Sequence, residues 1–146
     1  MMSAIFIGWA IGGPSVGWLS DKLKTRKKLM SVSAVMSLLI LSFVLYGPTL
    51  SEWVLLLGMF LYGISNTGVA LSYAVAGESH SKAVVGMSVA FTNMVSILVG
   101  AIMQPVMGLM LDHFWSGKME HHLRIYSRYA YHEVLFILPC ALVIAL

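Results

Sequence analysis

Charge is what this sequence has least of. Only 10% of its residues are Asp, Glu, Lys or Arg, and none of these lies between residues 29 and 51. No Asp, Glu, Lys, Arg or His falls inside the apolar runs 1–20, 29–47, 53–76 and 84–111. Those runs therefore hold no proton relay and no strong ion-coupling group, and such a group is expected outside these residues or at His132 and Glu133. A single cysteine, Cys140, excludes an intrachain disulfide, and its place in an apolar run suits an inert packing residue. Repeats, low-complexity runs and interdomain linkers are absent too. Basic and aromatic residues do not interleave on one face, so the net charge of +3 gives no reason to expect nucleic acid as a partner.

What is present is oil. The chain of 146 residues is 59% hydrophobic with a mean hydropathy of +0.87, a surface that a soluble domain could not show to water. Crossing a hydrocarbon core of ~30 Å at ~1.5 Å per residue takes ~20 residues, so the length accommodates about five helices. The expected fold is an all-α, polytopic transmembrane bundle in one partial domain over 1–146, with helices near 1–20, 29–47, 53–76, 84–111 and 132–146. Met1 to Leu19 lacks a basic leading region and carries Gly12-Gly13-Pro14 where the centre of a secretory signal would run, so it reads as a spanning helix. Glu52 and Glu78 mark the edges of the third segment, and Tyr46-Gly47-Pro48 stops the second. Trp115, Tyr126, Tyr129 and Tyr131 suit a headgroup-level aromatic belt.

Residues Gly17 to Lys28 hold five of the nine Lys and Arg residues in a short connection between two apolar runs. Such loops stay on the cytoplasmic side, which places 21–28 and, by alternation, 77–83 inside a cell (inner) membrane. The connections 47–52 and 112–131 then lie outside. The inside loops hold six Lys and Arg residues and the outside loops three, although 112–131 is the longest.

Small and polar residues pick out faces. Gly8, Gly12, Gly13 and Gly17 on the first helix give pairs four residues apart, a spacing that lets helix backbones pack closely. On the fourth, Gly86, Ala90, Asn93, Ile97, Gly100, Gln104 and Gly108 fall in one stripe, with Pro105 removing a helical hydrogen bond. Asn93 and Gln104 should face protein or a watery cavity, as interhelical partners or as substrate contacts. Tyr62, Asn66, Ala70 and Tyr73 share a face of the third helix, with the same two readings open. The second helix carries only serines at 31, 33, 37 and 42, which can return their hydroxyl bonds to their own helix.

The basic loop resembles the signature loop of the major facilitator superfamily of secondary transporters. Gly17, Leu19, Ser20, Asp21, Lys22 and Arg26 match its pattern, while Lys24 stands where the family has Gly and Thr25 where it has Arg. The loop occurs twice in the family, and this one is similar to the second, degenerate copy, with the helix order matching helices eight to twelve. The resemblance implies alternating-access transport of a small-molecule substrate, with a coupling ion where one is used, and no enzymatic activity or cofactor. It implies a conformational-switch role for Gly17, Asp21, Lys22 and Arg26. It makes Tyr62, Asn66, Tyr73, Asn93 and Gln104 substrate-pathway candidates, and Gly8, Gly12, Gly13, Gly100 and Gly108 packing positions. An N-terminal half of about seven helices is then a missing partner, and these residues are expected not to transport alone. Two other readings are an independent membrane packing subunit and a metal-binding membrane protein using His113, His121, His122 and His132. These histidines lack the helical ligand spacing of zinc hydrolases.

Overall fold

A computed structural model describes residues 2–79, 81–120, 123–144 and 146. Lipid leaves backbone groups no outside partners, so long apolar runs become helices. The order is α1 (Met2–Leu23), α2 (Arg26–Tyr46), α3 (Glu52–Asn66), a 3₁₀ turn (Thr67–Val69), α4 (Ala70–Glu78) and α5 (Val85–His113). A two-residue hairpin, β1 (Met119–Glu120) and β2 (Leu123–Arg124), follows, then α6 (Arg128–Leu135) and α7 (Ile137–Ile144). Among the described residues four stretches are long and apolar enough to cross a membrane: α1, α2, the continuous run Glu52–Glu78, and α5.

The expected fifth segment begins earlier than residue 132 and is broken. Its two helices, α6 and α7, have 8 residues each and are parted at Phe136. Pro139 stands in the first turn of α7 and has no amide to donate back toward Leu135, which accounts for the interruption. Ser127 caps α6, accepting from the Ala130 amide at 3.1 Å.

Close helix contact needs glycine here. A Cβ on Gly8 would meet the Phe60 carbonyl and lie 3.1 Å from the Cα of Gly63, while one on Gly63 would lie 3.0 Å from Ile5 backbone atoms. A Cβ on Gly12 would sit 2.9 Å from Ile64 and Thr67. These glycines let α1 lie along α3, its main neighbour, while α2 packs beside α3 and α7. Gly68 faces Ser33 of α2 in the same manner. Among the described residues few hydrophobic side chains are buried, namely Leu41, Leu71, Ala130 and Val134, and large apolar side chains such as Phe6, Trp53 and Phe91 point outward. That inversion suits hydrocarbon as the surrounding solvent.

Candidate functional site

Two polar clasps tie the ends of the bundle. At the first, α1 stops at Leu23 and the chain turns through Lys24, whose amide donates to the Ser20 carbonyl at 2.9 Å with φ at +50°. The left-handed residue after a helix redirects the chain, and here it brings Arg26 back beside Asp21. The Arg26 guanidinium donates through one nitrogen to Asp21 Oδ1 at 3.0 Å and to Glu78 Oε1 at 2.5 Å. One cation thus joins the α1–α2 loop to the end of α4, 52 positions away. Lys22 lies over the Trp18 ring at 4.9 Å, outside this triad, and Gly17 has open space beside it. Both carboxylates are well exposed, so the clasp serves geometry more than stability.

The second clasp lies at the other end. Asp112 on α5 accepts from Arg124 at 2.6 Å and from the Tyr126 hydroxyl at 2.6 Å, and Arg124 lies over the Trp115 ring at 4.9 Å. The hydrogen bond to the Asp112 carboxylate holds the Tyr126 phenol protonated to higher pH than usual, partly countered by Arg124. Nearby, the Tyr46 hydroxyl donates to the His132 carbonyl at 3.2 Å, joining α2 to α6.

The pathway candidates divide into separate places. Tyr73 on α4 donates its hydroxyl to Asn93 Oδ1 on α5 at 3.3 Å, a long but direct link. Asn66, seven residues before Tyr73, instead lines a cleft of about 370 Å³ with Ser33, Ser37 and Ser65. The 3₁₀ turn between them accounts for the separation: three residues at ~120° each instead of ~100° turn the later face by about 60°. Tyr62 is half-buried, and Gln104 is exposed on α5. That helix runs unbroken through Pro105 and has no buried residue, and Gly100 and Gly108, like Gly13 on α1, have open space where a Cβ would be.

The sequence reading missed Glu78 and the α2 serines. Glu78 was legible only as the edge of an apolar run, although it shares a side of the membrane with the basic loop under the expected topology. The serines were expected to return their hydroxyls to their own helix. Ser37 does not: it is buried and among the described residues its Oγ has no partner, and Ser33 is buried against Gly68. The metal-binding reading cannot be followed fully, since His121 and His122 lie outside the described residues. Among the described residues no three His, Cys, Asp or Glu side chains gather.

The sequence profile of the Major Facilitator Superfamily matches residues 1–146. The chain belongs to that superfamily. No curated protein and no solved structure matched it. The superfamily is one of transporters, not enzymes, and its members sit in lipid and bind small molecules, so a transporter-type role in a multi-pass membrane setting follows for this chain. Membership also gives the Lys24 backbone a meaning. The superfamily's glycine at this place in the loop fits a left-handed turn that only glycine enters without steric cost, and this chain makes the same turn with a lysine.

Proposed function

We propose that this chain supplies the helices equivalent to eight through twelve of a superfamily transporter, and that it moves a small solute only together with the remaining helices, about seven. In this reading the loop of Gly17, Asp21, Lys22 and Arg26 is the conformational switch on the cytoplasmic side of the inner membrane. The observation that carries it is the sharing of Arg26 between Asp21 and Glu78. A loop fastened to the end of α4 moves with that helix, so making or releasing the clasp couples the loop to the helix that carries Tyr73. The Tyr73 and Asn93 pair supports a polar solute pathway between α4 and α5, with Gln104 further along α5. Tyr62 and Asn66 on α3 are candidates apart from that pair, Asn66 in the cleft it shares with Ser33, Ser37 and Ser65. Gly8 and Gly12 hold α1 against α3, while Gly13, Gly100 and Gly108 are left for helices of the other half.

The test is transport by the complete transporter that contains this chain. Asp21→Asn is expected to slow uptake about tenfold, the effect of a 1 to 2 kcal/mol bias between two states, with membrane insertion unchanged. Uptake at the parental rate overturns the switch assignment. Asn93→Ala and Asn66→Ala are expected to weaken substrate affinity, whereas unchanged affinity with lower yield assigns them to packing.

A further inference from the structure

A cleft of about 650 Å³ opens where α1 turns into α2. Its wall carries four cations, Lys24, Arg26, Lys27 and Lys28, against two carboxylates, Asp21 and Glu78. Both carboxylates are engaged by Arg26, and among the described residues no carboxylate lies within ion-pair distance of the three lysines. The cleft is therefore positive.

The helix that starts here makes this arrangement unfavourable as it stands. Arg26, Lys27 and Lys28 form the first turn of α2, which has no acidic residue, so three cations crowd the positive end of a 21-residue helix dipole. Thr25 makes no side-chain cap, and the first bond within the helix runs from Leu29 to Thr25 at 3.1 Å. The amides of residues 26 to 28 precede that bond and need acceptors. Ser20 lines the same cleft, is 1% exposed, and among the described residues its Oγ has no partner. A buried hydroxyl left unpaired is costly, and so is Lys24 in a left-handed conformation. One group answers the crowded cations, the free amides and the buried hydroxyl at once: an anion with several acceptor oxygens.

We propose that the cleft at the α1–α2 turn binds a phosphoryl group through the α2 amides, the Lys24, Lys27 and Lys28 ammoniums and the Ser20 hydroxyl. Phosphate oxygens accept from several donors together, and helix N-termini favour them. The headgroup of an acidic phospholipid and free phosphate share this chemistry. This site is independent of Asp21 acting as a switch, and its test does not read transport.

The experiment uses the purified full chain in detergent. Native mass spectrometry measures retention of phosphatidylglycerol against phosphatidylcholine, and calorimetry measures binding of inorganic phosphate. Lys24→Gly is the first variant, since glycine fits the +50° turn and removes the side chain with its charge. Lys24→Arg, Ser20→Ala and the double variant Lys27→Gln/Lys28→Gln accompany it. With a lipid headgroup as the source, phosphatidylglycerol is retained over phosphatidylcholine, Lys24→Gly lowers that preference about fivefold, Lys24→Arg keeps it, and inorganic phosphate does not compete. With free phosphate as the source, inorganic phosphate binds, the same lysines weaken it, and the lipids are not distinguished. Equal retention of both lipids with no phosphate binding overturns the proposal. So does a lipid preference that survives in both Lys24→Gly and the double lysine variant, because the charge then acts from elsewhere.

Discussion

Lys24 is the one non-glycine residue with positive φ among the described residues, and it shows how a single side chain can work against its backbone. A left-handed conformation costs an L-residue about 1 to 2 kcal/mol. Lys24→Gly is therefore expected to raise the stability of the chain by about 1 kcal/mol, read as a higher midpoint in denaturant melts in detergent. Arg26→Lys keeps the charge but replaces the guanidinium, one nitrogen of which reaches both carboxylates, with a compact ammonium on a different stem. Crosslinking between cysteines placed in the loop and at the end of α4 is expected to fall in that variant. Tyr126 offers a test by pH. Its phenol, ordinarily at 10.0, is held protonated by the bond to Asp112, so its folded pKa lies above the unfolded one. That contribution is fully present below the ordinary value and is lost as pH rises through the raised one. Tyrosinate absorbance in an alkaline titration is expected to show a late-ionising component, and Tyr126→Phe is expected to reduce it.

Between elements, the glycines sort themselves by what surrounds them. Gly12→Ala would press a methyl against Ile64 and Thr67, and is expected to destabilise the α1–α3 pair by about 1 to 3 kcal/mol. Gly100→Ala has open space, so the isolated chain is expected to melt within about 0.5 kcal/mol of the parent. If α5 packs against a complementary half, the same change lowers co-purification with that half while leaving this stability intact. The glycine spacing was legible in the sequence, but which glycine meets a neighbour was not, because that depends on which side of each helix its partner occupies. The 3₁₀ turn at Thr67–Val69 is a similar case. Nothing in Thr-Gly-Val forbids a regular helix, and the turn forms where Gly68 lets Ser33 of α2 approach and Thr67 bonds the Ile64 carbonyl at 2.6 Å. Asn66 and Tyr73 are parted as a result.

For the whole molecule, orientation is the property to test. With Cys140 changed to Ser and a cysteine placed at Lys24, an impermeant thiol reagent added to intact cells is expected to leave the protein unlabelled until the cells are opened. Labelling from outside would reverse the topology and with it the cytoplasmic position of the switch loop.

The all-α membrane bundle and its superfamily followed from the linear order of residues alone. Hydrocarbon satisfies no backbone group, so a run of about 20 apolar residues has one conformation open to it, and the spaced residues of the basic loop are read along the chain without knowing its path. The pairing of Arg26 with Glu78, the meeting of Tyr73 with Asn93 and the unpartnered Ser20 and Ser37 depended on how the helices lie against one another. Such contacts join residues far apart in the chain through the rotation and offset of rigid helices. A half-turn of α4 or a slide along α1 would exchange every partner while leaving each helix's own pattern unchanged.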